Sequence, residues 1–186
     1  TYLNLSYYKS RKKEFYADKD AIDLLYQYYR KPDKRKLTAN ELGFLLFRDE
    51  KAFEQKEEGT NRKSIGYYAS VLKRIGLTLE MINSYTTIEP FFYCVRKEFF
   101  ETEKREILIV ENKDTFFTLK PVYDKYGFHM LIYGEGQKIN KSFELAKDYG
   151  ITTYDKVCYF GDIDPAGFAI YNTFRSRFHH YQISLY

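Results

Sequence analysis

Tryptophan is missing from these 186 residues, and cysteine, methionine, histidine and proline are scarce, at two, two, three and four copies. Two cysteines are too few for a disulfide framework or a thiolate metal cluster. Cys94 and Cys158 each sit in an apolar run, Phe91-Phe-Tyr-Cys-Val95 and Val157-Cys-Tyr-Phe160, as buried reduced thiols of a cytoplasmic protein would. His129, His179 and His180 show no ligand spacing relative to the acids discussed below and read as structural. No apolar run approaches the ~20 residues of a membrane-spanning helix, and no secretion leader is evident, so no membrane partner is expected. A Gly-x-x-x-x-Gly-Lys-Ser/Thr segment is also lacking, which removes the common nucleoside-triphosphate loop. The chain opens without Met and stops on Ile183-Ser-Leu-Tyr186, inside what reads as a strand, as a piece of a longer protein would.

What is present is a globular balance, 44% hydrophobic and 30% charged, which excludes a disordered chain. Charge is unevenly spread. Residues 1–100 carry 19 Lys/Arg against 14 Asp/Glu, and residues 101–186 carry 11 against 12. A basic front half beside a neutral back half fits a DNA-facing module joined to a carboxylate-bearing one, or simply a soluble basic protein.

The front half reads as helices. Ile22, Leu25 and Tyr29 share one face of a helix over residues 20–30, followed by Arg30, Lys31, Lys34, Arg35 and Lys36. Thr38-Ala-Asn-Glu41 is a capping box, with Leu37 and Leu42 placed for a hydrophobic staple. A third helix spans residues 64–75, bordered by Arg62, Lys63, Lys73 and Arg74 and stopped by Gly76. A short helix from Thr78 and an apolar strand at residues 91–95 follow. Such a mainly helical domain over residues 1–103 is compatible with a winged-helix DNA-binding unit, or with a helical cap whose basic residues are solvated.

The charged stretch Glu101-Thr-Glu-Lys-Arg-Glu106 marks a junction, and a second domain is expected over residues 104–186. Apolar strands at residues 107–110, 128–133, 156–160 and 181–186 alternate with helices at 115–126, 138–149 and 165–178. That alternation predicts an α/β fold, an open parallel sheet with helices on both faces.

Two of these strands end in acid: residues 107–110 run into Glu111, and residues 157–160 run through Gly161 into Asp162-Ile-Asp164. Strand carboxyl ends form the ligand-binding rim of a parallel α/β sheet. An extended backbone would point Asp162 and Asp164 the same way and turn Ile163 toward the core. Three gathered carboxylates repel unless a cation sits among them, and Mg²⁺ is the natural occupant. The competing reading makes Asp164-Pro165 a helix N-cap with proline at the first helical position, and Glu111 a strand end pointing into water. Glu135, between Gly134 and Gly136, is a further acid after the second strand; that segment is a substrate-approaching loop or a plain turn. Lys113 is a phosphate contact or an ordinary surface lysine.

The order Glu, then Asp-x-Asp two strands later, resembles the Toprim domain of topoisomerases, primases and several nucleases. Val110-Glu-Asn-Lys-Asp-Thr-Phe-Phe117, Tyr133-Gly-Glu-Gly-Gln137 and Tyr159-Phe-Gly-Asp-Ile-Asp-Pro-Ala-Gly-Phe168 more closely resemble JetD-like proteins, nuclease subunits of Wadjet anti-plasmid defence systems. These are in turn similar to the type IIB topoisomerase A subunit. The resemblance covers residues 107–186. It implies a Toprim-like catalytic domain in which Asp162 and Asp164 coordinate Mg²⁺ or Mn²⁺, and Glu111 completes the metal site or acts as general acid/base. The implied activity is hydrolysis of double-stranded DNA. A topoisomerase-like tyrosine transesterase and a non-catalytic DNA-binding module are the alternatives. A chromosome-maintenance-type ATPase complex and a homodimer are the implied partners.

Overall fold

The structure, a computed structural model, describes residues 3–54 and 66–186. The chain divides after Thr87 into two units, each with its own hydrophobic core.

In the first unit, α1 (Lys12–Tyr29), α2 (Ala39–Phe47) and α3 (Tyr67–Arg74) pack around Leu25, Leu42, Val71 and Ile75. Ser64 and Ile65, the expected start of α3, and neighbouring Arg62 and Lys63 lie outside the described residues. The capping box at α2 forms as expected: Glu41 N–H donates to Thr38 Oγ1, and Thr38 N–H donates to Glu41 Oε2 at 2.8 Å. Helix α1 starts at Lys12, well before residue 20; its first turns are charged and offer little apolar periodicity from which to read a helix. Those turns carry Asp18, buried in the unit, whose carboxylate accepts from Tyr8 Oη, Tyr67 Oη and Arg74. Two-residue strands β1 (Leu37–Thr38) and β2 (Ser84–Tyr85) pair in parallel. A winged helix adds an antiparallel hairpin to its helices, and none is found among the described residues of this unit.

The second unit holds a five-stranded sheet: β3 (Phe92–Val95), β4 (Glu106–Val110), β5 (Met130–Tyr133), β6 (Lys156–Phe160) and β7 (Gln182–Leu185), in the order β3-β5-β4-β6-β7. Four strands are parallel, as expected, but β3 runs antiparallel to β5, so the sheet is mixed rather than purely parallel. The unit boundary accordingly falls before β3 and not at residues 103/104. A short apolar strand shows where the chain is extended but not which strand it joins, and the charged stretch after β3 is a turn within this unit.

Helices cover both faces. Ile107, Ile109, Ile132, Val157 and Tyr159 face Phe143 and Ile139, the latter on α5 (Ile139–Ser142), and Ile170 and Phe174 of α6 (Pro165–Arg177). Leu108, Val110, Leu131 and Cys158 face Phe116 of α4 (Lys113–Leu119) and Tyr123. Both cysteines are free thiols, Cys158 buried and Cys94 half-buried.

Candidate active site

Strands β4 and β6 are parallel neighbours, with Val110 paired to Phe160. Their next residues therefore leave the sheet side by side, and Glu111 N–H donates to Phe160 O at 2.9 Å. The chain crosses from β4 to β5 on one side, then returns past β4 to β6 on the other. The gap between β4 and β6 is thus the topological switch point, where open α/β sheets bind ligands at strand carboxyl ends. Glu111 and the Gly161–Asp164 segment both emerge there.

The side chain of Glu111 is half-buried, and its Oε2 accepts from Tyr159 Oη at 3.1 Å. Tyr159 is only 1% exposed, in the interior of β6. Burial, then the charges of Glu111 and Asp162, push its hydroxyl pKa well above the ordinary phenol value, so it keeps its proton and donates. Between them stands Gly161. A methyl group there would lie well inside contact distance of Glu111 Oε2 and 2.7 Å from the Tyr159 ring. Sequence reading passed over Tyr159 and Gly161. The signal was a phenol in an otherwise apolar buried strand, which must find a polar partner.

Asp162 is exposed, and its backbone carbonyl packs on Gly167, where any side chain would collide with it. Asp164 caps α6: its Oδ1 accepts from Gly167 N–H at 2.7 Å, with Pro165 following in the first turn. The capping reading of Asp164 is therefore realised, and it leaves Oδ2 without a hydrogen bond among the described residues. Ile163 departs from expectation. It is 92% exposed rather than turned to the core, because β6 ends at Phe160 and the chain bends at Ile163, so strand alternation does not extend that far.

Among the described residues, no three Asp, Glu, His or Cys side chains close into a metal-holding cluster. Glu111 is held toward Tyr159 and Asp164 toward its helix. Glu135 is turned away from such a role by its ion pair with Lys138 at 2.9 Å, and Lys113 is an exposed residue of α4. His129 is structural, its Nδ1 accepting from Glu106 N–H. The donor chemistry at the rim is nonetheless all oxygen. Among the described residues, Glu111, Asp162 and Asp164 each keep a carboxylate oxygen without a hydrogen bond, which suits a hard divalent cation that retains several waters.

The second unit is thus an open, mixed α/β domain whose neighbouring parallel strands β4 and β6 end in acidic segments at the switch point. Residues 88–185 match the family described as Wadjet protein JetD, C-terminal, from the first residue of the second unit onward. The match covers just over half of the chain, and the chain belongs to this family. Comparison with curated proteins finds no match.

Proposed function

We propose that the second unit is a Toprim-like, Mg²⁺-dependent endonuclease domain that hydrolyses double-stranded DNA in the cytoplasm, serving Wadjet anti-plasmid defence. The observation that carries this reading is the exit of Glu111 and Asp162–Asp164 from neighbouring parallel strands at the switch point. Membership of the JetD C-terminal family supports the defence role.

In this reading Glu111, Asp162 and the free oxygen of Asp164 hold Mg²⁺, or Mn²⁺ in its place. The cation supplies charge stabilisation at the scissile phosphate. In the alternative role for Glu111, the two aspartates would hold the metal and Glu111 Oε1, the oxygen not engaged by Tyr159, would move a proton at the leaving oxygen. Water is the nucleophile. Tyr159, the tyrosine hydrogen-bonded to Glu111, is buried and is not the nucleophile of a transesterase. The first unit would meet DNA through its basic surface around Lys31, Lys34 and Lys36, the last of which lies over the exposed Tyr85 ring. The chromosome-maintenance-type ATPase complex and a second copy of the chain remain the proposed assembly partners.

The test is plasmid cleavage with Mg²⁺ or Mn²⁺ by the chain and by Asp162→Ala and Glu111→Ala. Both variants are expected to lose cleavage and keep DNA binding. Parental cleavage by either variant refutes the assignment. A covalent protein–DNA adduct on a denaturing gel would instead establish transesterification, and a chain that binds DNA but never cuts would be a non-catalytic module.

A further inference from the structure

We infer that Tyr159 is a positioning residue for Glu111, its buried hydroxyl holding one carboxylate oxygen so that the other is presented at the rim to a divalent cation. The inference rests on the metal-site reading above and extends it to a residue that touches neither cation nor DNA.

Three observations carry it. Tyr159 pairs with Ile109 in the β4–β6 register, so Glu111, two residues beyond Ile109, extends over the same face of the sheet as the tyrosine ring. The Tyr159 Oη to Glu111 Oε2 hydrogen bond is 3.1 Å long and takes one carboxylate oxygen only. Gly161 leaves the space the contact needs, because a Cβ there would collide with both the carboxylate and the ring. The ring itself cannot swing away. It is packed against Tyr171 and Phe174 of α6, with ring centroids 5.8 and 5.9 Å away.

A glutamate carries three side-chain torsions, and leaving it free at a rim costs rotamer entropy each time a ligand orders it. A hydrogen bond from a residue locked in the core removes that cost in advance. Partners that orient a ligand through such bonds typically govern metal affinity by about 10- to 100-fold.

The experiment is Mn²⁺ binding to the full chain, read by electron paramagnetic resonance, together with plasmid cleavage, for the parent, Tyr159→Phe, Gly161→Ala, Glu111→Ala and the Tyr159→Phe/Glu111→Ala double variant. Tyr159→Phe keeps the ring and its packing, and is expected to weaken Mn²⁺ binding about tenfold while DNA affinity stays at the parental value. In the Glu111→Ala background the same substitution is expected to change nothing further, which a merely structural role would not produce. Gly161→Ala, with Tyr159 intact, is expected to reproduce the loss by displacing the carboxylate. Parental Mn²⁺ affinity in Tyr159→Phe, or an equal loss with and without Glu111, overturns the inference while leaving the metal site standing. A parent chain that neither binds Mn²⁺ nor cuts DNA overturns the metal-site reading, and this inference with it.

Discussion

Replacing Asp155 by alanine is expected to loosen the sheet at its amino end. Asp155 is fully buried just before β6, and Arg105, just before β4, is 11% exposed. The carboxylate takes Arg105 Nε at 2.8 Å and Nη2 at 2.7 Å, the Arg105 N–H, and both the N–H and hydroxyl of Thr152. Removing one partner of a buried ion pair costs about 3–5 kcal/mol, chiefly through the charge left behind. Here Arg105 keeps the Gly150 and Phe99 carbonyls and its stacking 4.2 Å above the Phe99 ring, which places the cost at the low end, about 3 kcal/mol. At about 1.4 kcal/mol per tenfold, amides of β4 and β6 should exchange with deuterium roughly a hundredfold faster. Those of α1 and α2 in the other unit should be unchanged. Exchange of β4 and β6 within about threefold of the parent would refute the reasoning. The pH dependence follows from the same bonds. Burial opposes ionisation of Asp155, but Arg105 and Thr152 outweigh it and lower its pKa below 3.8. Its contribution is then fully present above about pH 4 and is lost as pH falls through the lowered folded value. Asp155→Asn should lack that component of acid unfolding, measured as thermal midpoint against pH.

In the first unit, Asp18 is also lowered: burial opposes ionisation, and the bonds from Tyr8, Arg74 and Tyr67 prevail. Asp18→Asn should therefore speed exchange in α1 and α3 and remove an acid-labile component below pH 3.8, with no effect on β4. Thr38→Ala removes the half of the α2 capping box that the Thr38 hydroxyl makes, and should cost about 1 kcal/mol, seen as lost protection in the first turn of α2. Gly167→Ala tests packing against propensity. Alanine in a helix is worth about 1 kcal/mol over glycine, but here its methyl would press into the Asp162 carbonyl. A lower melting temperature is expected; a rise would show that the Asp162 segment yields freely.

Strand β6 was legible from sequence to the residue, and β4, β5 and β7 to within two, because buried parallel strands are continuous apolar runs bounded by charge or glycine. The capping box at Thr38 and the proline start of α6 were equally plain, since each is a local chemical pattern. Long-range pairing was not legible. Nothing in Phe92–Val95 distinguishes an antiparallel edge strand of this sheet from a strand of the preceding unit. The stretch from Lys138 to Tyr149 read as one helix, but only α5 within it is α-helical and Phe143–Tyr149 winds as 3₁₀ turns. At the site, the rim position of Glu111 and Asp162 was legible from strand order. The bend that exposes Ile163 and the phenol that holds Glu111 depend on register and packing, which composition does not encode.

That register is a single offset. Every β4 residue pairs with the β6 residue 50 positions later, from Glu106 with Lys156 to Val110 with Phe160, and the Arg105–Asp155 pair keeps the same spacing beyond the amino end. Continued past the carboxyl end, it sets Glu111 against Gly161, the residue whose missing side chain makes room for the carboxylate. A slip of one residue would turn every β6 side chain to the opposite face. It would bring Phe160 or Asp162 opposite Glu111, carry Tyr159 out of reach, and strand the buried Asp155 without Arg105. The buried ion pair and the rim are therefore two ends of one alignment. A substitution at Asp155, remote from the rim, should accordingly weaken Mn²⁺ binding wherever it shifts β6 against β4, and leave it intact wherever exchange shows the two strands still paired as before.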